Sequence, residues 1–302
     1  MGRVSQGAST AVILNSRAGS IKETSEAVTA LRELFQALGH DIEIHAPESA
    51  EGLADAARQA ARRASIVVAA GGDGTVSSVA TAIIDTPAAL GVLPFGTRNH
   101  FAKDLGIPSE LRDGVAIIAA GQIGYVDVGR VNDRLFVNNA SIGVYPGVVE
   151  TREQLRRQGY RPSTATAIAA WRVMRDYRQM AVGIDVHGQV RRRRTPFVVV
   201  GNNAYAIEGP DIAGRSRLDE GKLFVYLTRR TRLSQLVMLL AKGIIRRAAE
   251  WDEFEIVAAP ELTISTQTSP IAVAADGEVA MMSAPLRFRA CPRALKVVQP
   301  RR

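Results

Sequence analysis

The first 120 residues alternate short apolar runs with longer segments in which apolar residues recur at helical spacing. Residues 25–39 show the helical pattern, because Leu31, Phe35 and Leu38 fall on one face and Gly39 follows as a stop signal. The run IVVAA has no polar alternation, which is typical of a strand buried on both faces. The strand-like runs are AVILN (11–15), IEIHA (42–46), IVVAA (66–70) and LGVLP (90–94). This order predicts a doubly wound α/β domain with a mostly parallel sheet.

The pattern changes after about residue 124 to short strand-like runs separated by turn residues. These runs are VDVGRV, RLFVNN, VGIDVHG, PFVVVGNN, KLFVYLT, LTIST, IAVAAD and LRFRA. Two helical segments interrupt them, at 163–178 and 231–249. The spacing favours an antiparallel β-rich domain, as a sandwich or a barrel. We therefore predict an α/β domain in residues 1–130, with the tail 292–302 returning to it, and a β-rich domain in residues 131–291.

The buried strand at 66–70 runs directly into GGDGT, and a helical pattern begins near Val76. Glycines at a strand–helix junction leave backbone N–H groups available to phosphate oxygens. The loop is not a Walker A motif, because the chain contains no GxxxxGKS or GxxxxGKT sequence. It is not a Rossmann fingerprint either, since Ser77 stands where the third glycine belongs. Asp73 would repel phosphate unless a cation lies between them, and Mg²⁺ binds through one or two carboxylates together with phosphates. The alternative is a tight turn with Asp73 as a helix cap.

A second polar segment, PFGTRNHFAKDLGIP (94–108), follows the next buried strand. Open α/β sheets bind ligands at the carboxyl ends of their strands. Thr97 and Asn99 are therefore expected to serve the same ligand as the glycine loop, which makes residues 1–130 a nucleotide-binding domain.

The charge of the chain is +8, with 38 basic and 30 acidic residues, and it is unevenly placed. Residues 151–194 contain eleven arginines and three acidic residues. Such a surface favours polyanions, although a solvated face explains it equally. We do not expect nucleic acid as a partner, because neither an aromatic RNA-binding signature nor helix-turn-helix spacing is present.

The helical segment 163–178 carries Trp171 and Tyr177 beside Arg172 and Arg175. Aromatic and basic side chains together suit a helix that lies on an anionic bilayer surface. Packing against the β domain is the alternative. A single cysteine and the lack of a signal-like segment favour a cytoplasmic protein with peripheral membrane contact.

Taken in order, these segments resemble the diacylglycerol kinase catalytic-domain family, which includes bacterial lipid kinases and sphingosine kinases. The similarity begins at GGDGTVSSVA and LGVLPFGTRNHFAKDLGIP. It continues through VDVGRVNDRLFVNNASIG, VVVGNNAYAIEG, RLDEGKLFVY and AADGEV. The resemblance implies transfer of the γ-phosphoryl group of ATP to a lipid hydroxyl with Mg²⁺. Because GGDGT also occurs in NAD kinases, an NAD kinase-like enzyme stays open, as do a catalytically silent nucleotide- or lipid-binding regulator and a homodimer.

By this resemblance, residue roles transfer to matching positions. The residues expected to bind ATP are Asn15, Gly71, Gly72, Asp73, Gly74, Thr75, Thr97 and Asn99. Asp73 and Asp127 are expected to position the catalytic Mg²⁺. Glu278 is the expected general base, with Asp276 as the second candidate.

The resemblance also implies a structural Mg²⁺ held by Arg217, Glu220 and Lys222, of which the first and last act through their carbonyls. Glu220 stands where the family has aspartate. Its extra methylene displaces the carboxylate, and Mg²⁺ accepts only a narrow geometry.

Overall fold

The computed structural model describes residues 2–3, 9–16, 23–120, 122–175, 179–205, 214–215, 217–228 and 254–301. The chain divides into two compact units. The N-terminal unit comprises Met1–Asp127 and Pro292–Arg302, and the C-terminal unit comprises Val128–Cys291. The helix predicted at 231–249 lies outside the described residues, as does Tyr177.

The N-terminal unit alternates strands and helices along the chain. Its elements are β1 (Gly2–Arg3), β2 (Thr10–Leu14), α1 (Thr24–Ala37), β3 (Ile42–His45), α2 (Ala50–Ala60), β4 (Ile66–Gly71), α3 (Asp73–Ile83), β5 (Ala89–Pro94), α4 (His100–Asp104), α5 (Leu111–Ala120) and the start of β6 (Gln122–Val131). Strands β3, β2, β4 and β5 form a parallel sheet in that order. Val297, near the chain's end, pairs in parallel with Leu90 of β5, so the C-terminal segment extends this sheet.

The sheet of this unit is buried on both faces, because helices cover each side. Every residue of β2 is buried. Val12 and Leu14 pack with Leu31 and Phe35 of α1 on one face. Successive strand residues point to opposite faces, so the intervening Ile13 lies on the other side. Helices α2 and α3 contact each other and strands β2 and β4. The predicted α/β arrangement is confirmed.

The C-terminal unit is built mainly from antiparallel strands. Its further elements are β7 (Arg134–Phe136), β8 (Asn139–Gly143), α6 (Val144–Arg157), α7 (Pro162–Arg175), β9 (Met180–Val186), β10 (Gln189–Thr195), β11 (Phe197–Asn202), β12 (Leu223–Thr228), β13 (Phe254–Ala259), β14 (Glu261–Thr266), β15 (Ile271–Ala275), β16 (Glu278–Met282) and β17 (Leu286–Gln299). One sheet has the strand order β13-β12-β11-β8-β15-β16. Strands β10, β9, β14 and the first part of β17 pair in a second sheet.

The two sheets of this unit share one apolar core. Val198 and Val225 from the first sheet belong to the same buried cluster as Ile264 and Phe288 from the second. The opposite face of the first sheet contributes Val199 to a cluster with α6 and α7. The expected β-rich domain is therefore a sandwich with two helices packed on its outer side.

Several elements of this unit were not predicted, among them helix α6 and strands β10, β13 and β16. Helix α6 contains Pro146, which lies in the first helical turn, where its missing N–H is not needed. Strand β10 reads QVRRRRT and, among the described strands, pairs only with β9. None of the described helices is long and apolar enough to cross a bilayer.

Candidate active site

The glycine loop of the N-terminal unit joins β4 to α3. Gly72 is the N-cap of α3, is extended, and supplies no side-chain acceptor to the helix. The first N–H groups of a helix have no partner within it, so here they remain available to an anion. We predicted that helix α3 begins near Val76, but it begins at Asp73. The Val76 N–H bonds to the Gly72 carbonyl, and residues 73–75 carry no apolar side chain that would reveal the start of the helix.

Asn15 and Thr75, two of the residues predicted to bind the nucleotide, stabilise this loop by bonding to each other. Thr75 is buried, and its hydroxyl accepts a hydrogen bond of 2.9 Å from the Asn15 side-chain amide. A Cβ on Gly71 would lie 2.3 Å from the Thr75 Oγ1. Gly71 is therefore required by the packing of Thr75, and the Asn15–Thr75 pair fixes the path of the loop.

The second segment packs directly on the first. A Cβ on Gly96 would lie 2.5 Å from the Cα of Gly72, so the two loops touch through backbone. Asn99 has a positive φ of 51°, and its side chain accepts from the Gly96 N–H at 3.0 Å and donates to the Gly96 carbonyl at 2.6 Å. Asn99 thus closes its own turn, whereas Thr97 at the tip is exposed.

Asp73 ties the two segments together. Its Oδ1 accepts a hydrogen bond of 3.1 Å from the Phe101 N–H, in the first turn of α4. Asp127 is 1% exposed, and its Oδ1 accepts from the Arg293 N–H at 2.8 Å. Across the described ranges, no three His, Cys, Asp or Glu side chains gather into a metal-binding group. Any Mg²⁺ held by Asp73 would need ligand phosphates to complete its coordination, which is how this ion is usually bound.

The predicted catalytic carboxylates lie on the turn between β15 and β16, in the C-terminal unit. Asp276 has a positive φ of 49° and Gly277 one of 88°. The Asp276 carboxylate accepts three backbone N–H groups, from Val137 at 2.7 Å, Asn138 at 2.8 Å and Asn139 at 3.2 Å. Both of its oxygens are occupied, so Asp276 anchors the turn.

Glu278 is the first residue of β16 and points outward. Its side chain is 52% exposed, and Oε2 accepts from the Arg134 Nη2 at 2.5 Å. The structure thus separates the two predicted candidates. Asp276 holds the backbone, while Glu278 presents an exposed carboxylate.

The segment 217–222 is held by backbone contacts from the end of β11. The Glu220 Oε2 accepts from the Ala204 N–H at 3.0 Å, and the Lys222 carbonyl accepts from the Asn203 N–H at 3.1 Å. The Arg217 side chain pairs with Asp219. In the part of the chain that the structure describes, no residue bonds to the Glu220 Oε1, so this oxygen and the carbonyls fit an oxygen-binding cation.

Sequence reasoning missed Arg215, which is only 3% exposed. Its guanidinium donates to the carbonyls of Val137 at 2.6 Å and Asn202 at 2.9 Å, and to the Asn138 Oδ1 at 2.8 Å. It therefore holds the same segment that donates to Asp276. Nothing in the polar stretch GRSR marks this arginine as buried, because its partners are two backbone carbonyls and one side-chain oxygen of residues distant in sequence.

Comparison with known proteins gives two family matches along the chain. Residues 9–131 match the diacylglycerol kinase catalytic domain. Residues 140–299 match the YegS C-terminal NAD kinase beta sandwich-like domain.

Two curated relatives carry consistent descriptions. A probable lipid kinase YegS-like of Klebsiella pneumoniae (strain 342) is 28% identical over 272 residues, covering 86% of this chain and 89% of the relative. A probable lipid kinase YegS of Salmonella heidelberg (strain SL476) is 37% identical over 154 residues, about half of each chain.

Solved structures show the same fold. A putative diacylglycerol kinase from Bacillus anthracis str. Sterne superposes with a TM-score of 0.75 at 20% identity and 96% coverage of both chains. A second structure, described as a diacylglycerol kinase of the same organism, gives a TM-score of 0.71 with the same coverage.

Proposed function

The chain belongs to the family that joins a diacylglycerol kinase catalytic domain to a YegS-type C-terminal domain, and we propose that it is a lipid kinase. In this proposal it transfers the γ-phosphoryl group of ATP to a hydroxyl of a lipid such as diacylglycerol, with Mg²⁺ and with Glu278 as general base.

The observation that carries the proposal is the pair of touching backbone loops at the carboxyl ends of β4 and β5. The approach of Gly96 to Gly72 leaves no room for side chains, and the N-terminus of α3 lies beside it without a side-chain cap. Backbone N–H groups and a helix N-terminus are a general solution for binding phosphate. Phosphoryl transfer depends mainly on such positioning and on charge stabilisation.

Glu278 supports the proton-transfer step. As the lipid hydroxyl oxygen forms its bond to the γ-phosphorus, its proton passes to the Glu278 carboxylate and ADP leaves with the electrons of the broken P–O bond. Arg134 holds the carboxylate in one position beforehand. Asp276, locked by three N–H groups, and the buried Arg215 fix the turn from which Glu278 projects.

In this proposal Asp73 would hold Mg²⁺, with Asp127 as a second carboxylate. The ion, when bound, neutralises charge on the transferring phosphate. The Phe101 N–H holds the Asp73 Oδ1, which orients the carboxylate.

Contact with the bilayer is proposed for α7. Trp171 is 66% exposed, and Arg172 and Arg175 are exposed beside it, whereas Ala165 and Ala169 face the core. An exposed tryptophan with flanking arginines suits the headgroup region of an anionic membrane. The packed side of α7 is formed by alanines together with Ile168 and Val173, so packing does not account for Trp171.

The test of the catalytic assignment is the variant Glu278→Gln, which keeps the size of the side chain and removes its basicity. Loss of a general base lowers turnover by about 10²–10⁴-fold. We expect that fall in transfer from labelled ATP to diacylglycerol, with unchanged ATP affinity by calorimetry. Glu150→Gln, an exposed glutamate on α6, is the matched control and keeps its turnover. Undiminished transfer by Glu278→Gln would remove this residue from the mechanism.

A further inference from the structure

The C-terminal unit carries a second concave site that the proposed kinase chemistry does not use. It is an open groove of about 870 Å³, within the size range of small-molecule sites. Its lining includes Arg130, Asn132, Asp185, Glu261, Arg287 and Arg289. None of the residues assigned above to ATP, Mg²⁺ or proton transfer lines it.

Three arginine side chains line this groove. Arg287 and Arg289 are alternate residues of β17 and so project from the same face of the sheet. Arg130 comes from the end of β6, which pairs with β17. Among the residues that the structure describes, none forms an ion pair with these arginines or accepts a side-chain hydrogen bond from them. Each guanidinium therefore keeps five N–H donors for a ligand.

The arginine side of the groove has a fixed backbone. The Arg287 N–H donates to the Asn132 Oδ1 at 2.9 Å, and the Asn132 N–H donates to the Arg287 carbonyl at 2.8 Å. Asn132 thereby joins the end of β6 to β17 and keeps Arg130 and Arg287 on adjacent backbone. Such preorganisation reduces the entropy that a ligand must offset on binding.

Three acidic residues, Asp133, Asp185 and Glu261, also line the groove, and among the described residues none of them forms an ion pair with these arginines. Asp185 lies on β9, where its Oδ1 accepts from the Gly188 N–H in the following turn. Thr263 of β14 pairs with Asp185 of β9 on one side and with Arg287 of β17 on the other, so a whole strand separates Asp185 from Arg287. Glu261 of β14 pairs directly with Arg289. The positive end of the groove is thus formed chiefly by Arg130 and Arg287.

We propose that this groove binds a phosphomonoester group, with Arg130 and Arg287 as its principal ligands and Arg289 at the edge. Guanidinium groups bind phosphate oxygens through two parallel hydrogen bonds, and two or three of them match a dianion better than isolated lysines do. A soluble phosphate ester and the headgroup of a phosphomonoester lipid share this chemistry. The inference does not depend on the proposed kinase activity.

The experiment measures binding to the full chain without ATP, using two probes. One is glycerol 3-phosphate in calorimetry, and the other is phosphatidylcholine vesicles containing phosphatidic acid in a sedimentation assay. The double variant Arg130→Gln/Arg287→Gln is compared with Arg192→Gln/Arg194→Gln, which removes the same charge from β10 outside the groove. We expect the first pair to weaken binding about tenfold or more and the control to change it less than about twofold.

If the groove double variant weakens binding of both probes, free phosphate esters are ligands of the groove, and if it weakens only the binding of the vesicles, the ligand is a lipid headgroup. If neither probe binds, or if the two double variants weaken binding equally, the proposal is wrong. Should the groove double variant fail to fold, the single variant Arg287→Lys keeps the charge without the two-pronged geometry. It should weaken binding about threefold or more, and unchanged affinity would overturn the assignment.

Discussion

Substituting alanine for Gly96 tests the contact between the two nucleotide loops. The added Cβ would lie 2.5 Å from the Cα of Gly72 and 2.7 Å from the Asn99 Oδ1. Non-bonded carbon atoms rest about 3.5–4.0 Å apart, so the loops must separate by about 1 Å. The Gly72 atom belongs to the backbone and cannot rotate away, so the displacement reaches the N–H groups at the start of α3.

A displacement of about 1 Å in a positioning element typically costs about 10²-fold in rate. We expect Gly96→Ala to lower kcat/KM for ATP by about this factor, measured with labelled ATP at saturating lipid. Overpacking also costs about 1–3 kcal/mol of stability, so both effects must be measured.

Gly91→Ala separates the two effects. Gly91 lies on β5 five residues earlier, and its Cβ would meet the Val68 Cγ2 at 2.9 Å, far from the loop. This variant should lose a comparable amount of thermal stability while its kcat/KM for ATP stays near the wild-type value. Wild-type kinetics in Gly96→Ala, or equal kinetic losses in both variants, would refute the reasoning.

Three further predictions concern the C-terminal unit. Asp276→Asn replaces an acceptor oxygen with a donor that faces backbone N–H groups. We therefore expect the free energy of unfolding, measured by chemical denaturation, to fall by about 1–3 kcal/mol and turnover to decrease. Unchanged values would contradict the anchoring role. Burial raises the pKa of Tyr226 above its usual 10.0, so the unfolded chain releases this proton first and stability falls as the pH rises above about 10. Tyr226→Phe should make this pH dependence shallower, and identical pH profiles in denaturant titrations would refute the assignment. If Glu220 holds a structural Mg²⁺, EDTA lowers the Tm of the wild type but not that of Glu220→Ala; a wild-type Tm independent of EDTA would exclude the ion.

Apolar periodicity predicted the fold well where strands are buried on both faces. IVVAA and LGVLP could be placed because a parallel strand between helices must be apolar throughout. Strand β10 could not, because its arginines form an edge strand in which Arg191 and Arg193 pair with the buried Glu255. That stabilisation comes from a residue more than sixty positions away, which no local pattern contains.

The sequence predicted the motifs of the candidate site, but it did not predict which contacts each residue of the site makes. The glycines and Glu278 stand in recognisable segments. Asp276 and Glu278 have different roles because only the Asp276 carboxylate accepts the backbone N–H groups of residues 137–139. Tertiary structure decides this, and the sequence does not show it. The burial of Arg215 could not be predicted for the same reason, because its partners are distant in sequence.

The central claim is that this chain moves phosphate from ATP to a lipid hydroxyl. The direct measurement incubates the purified protein with labelled ATP, Mg²⁺ and a panel of diacylglycerol, phosphatidylglycerol, a sphingoid base and NAD, and then separates the products by chromatography. The account predicts label in at least one lipid and none in NAD. Label in NAD alone, or no transfer to any member of the panel, would contradict it.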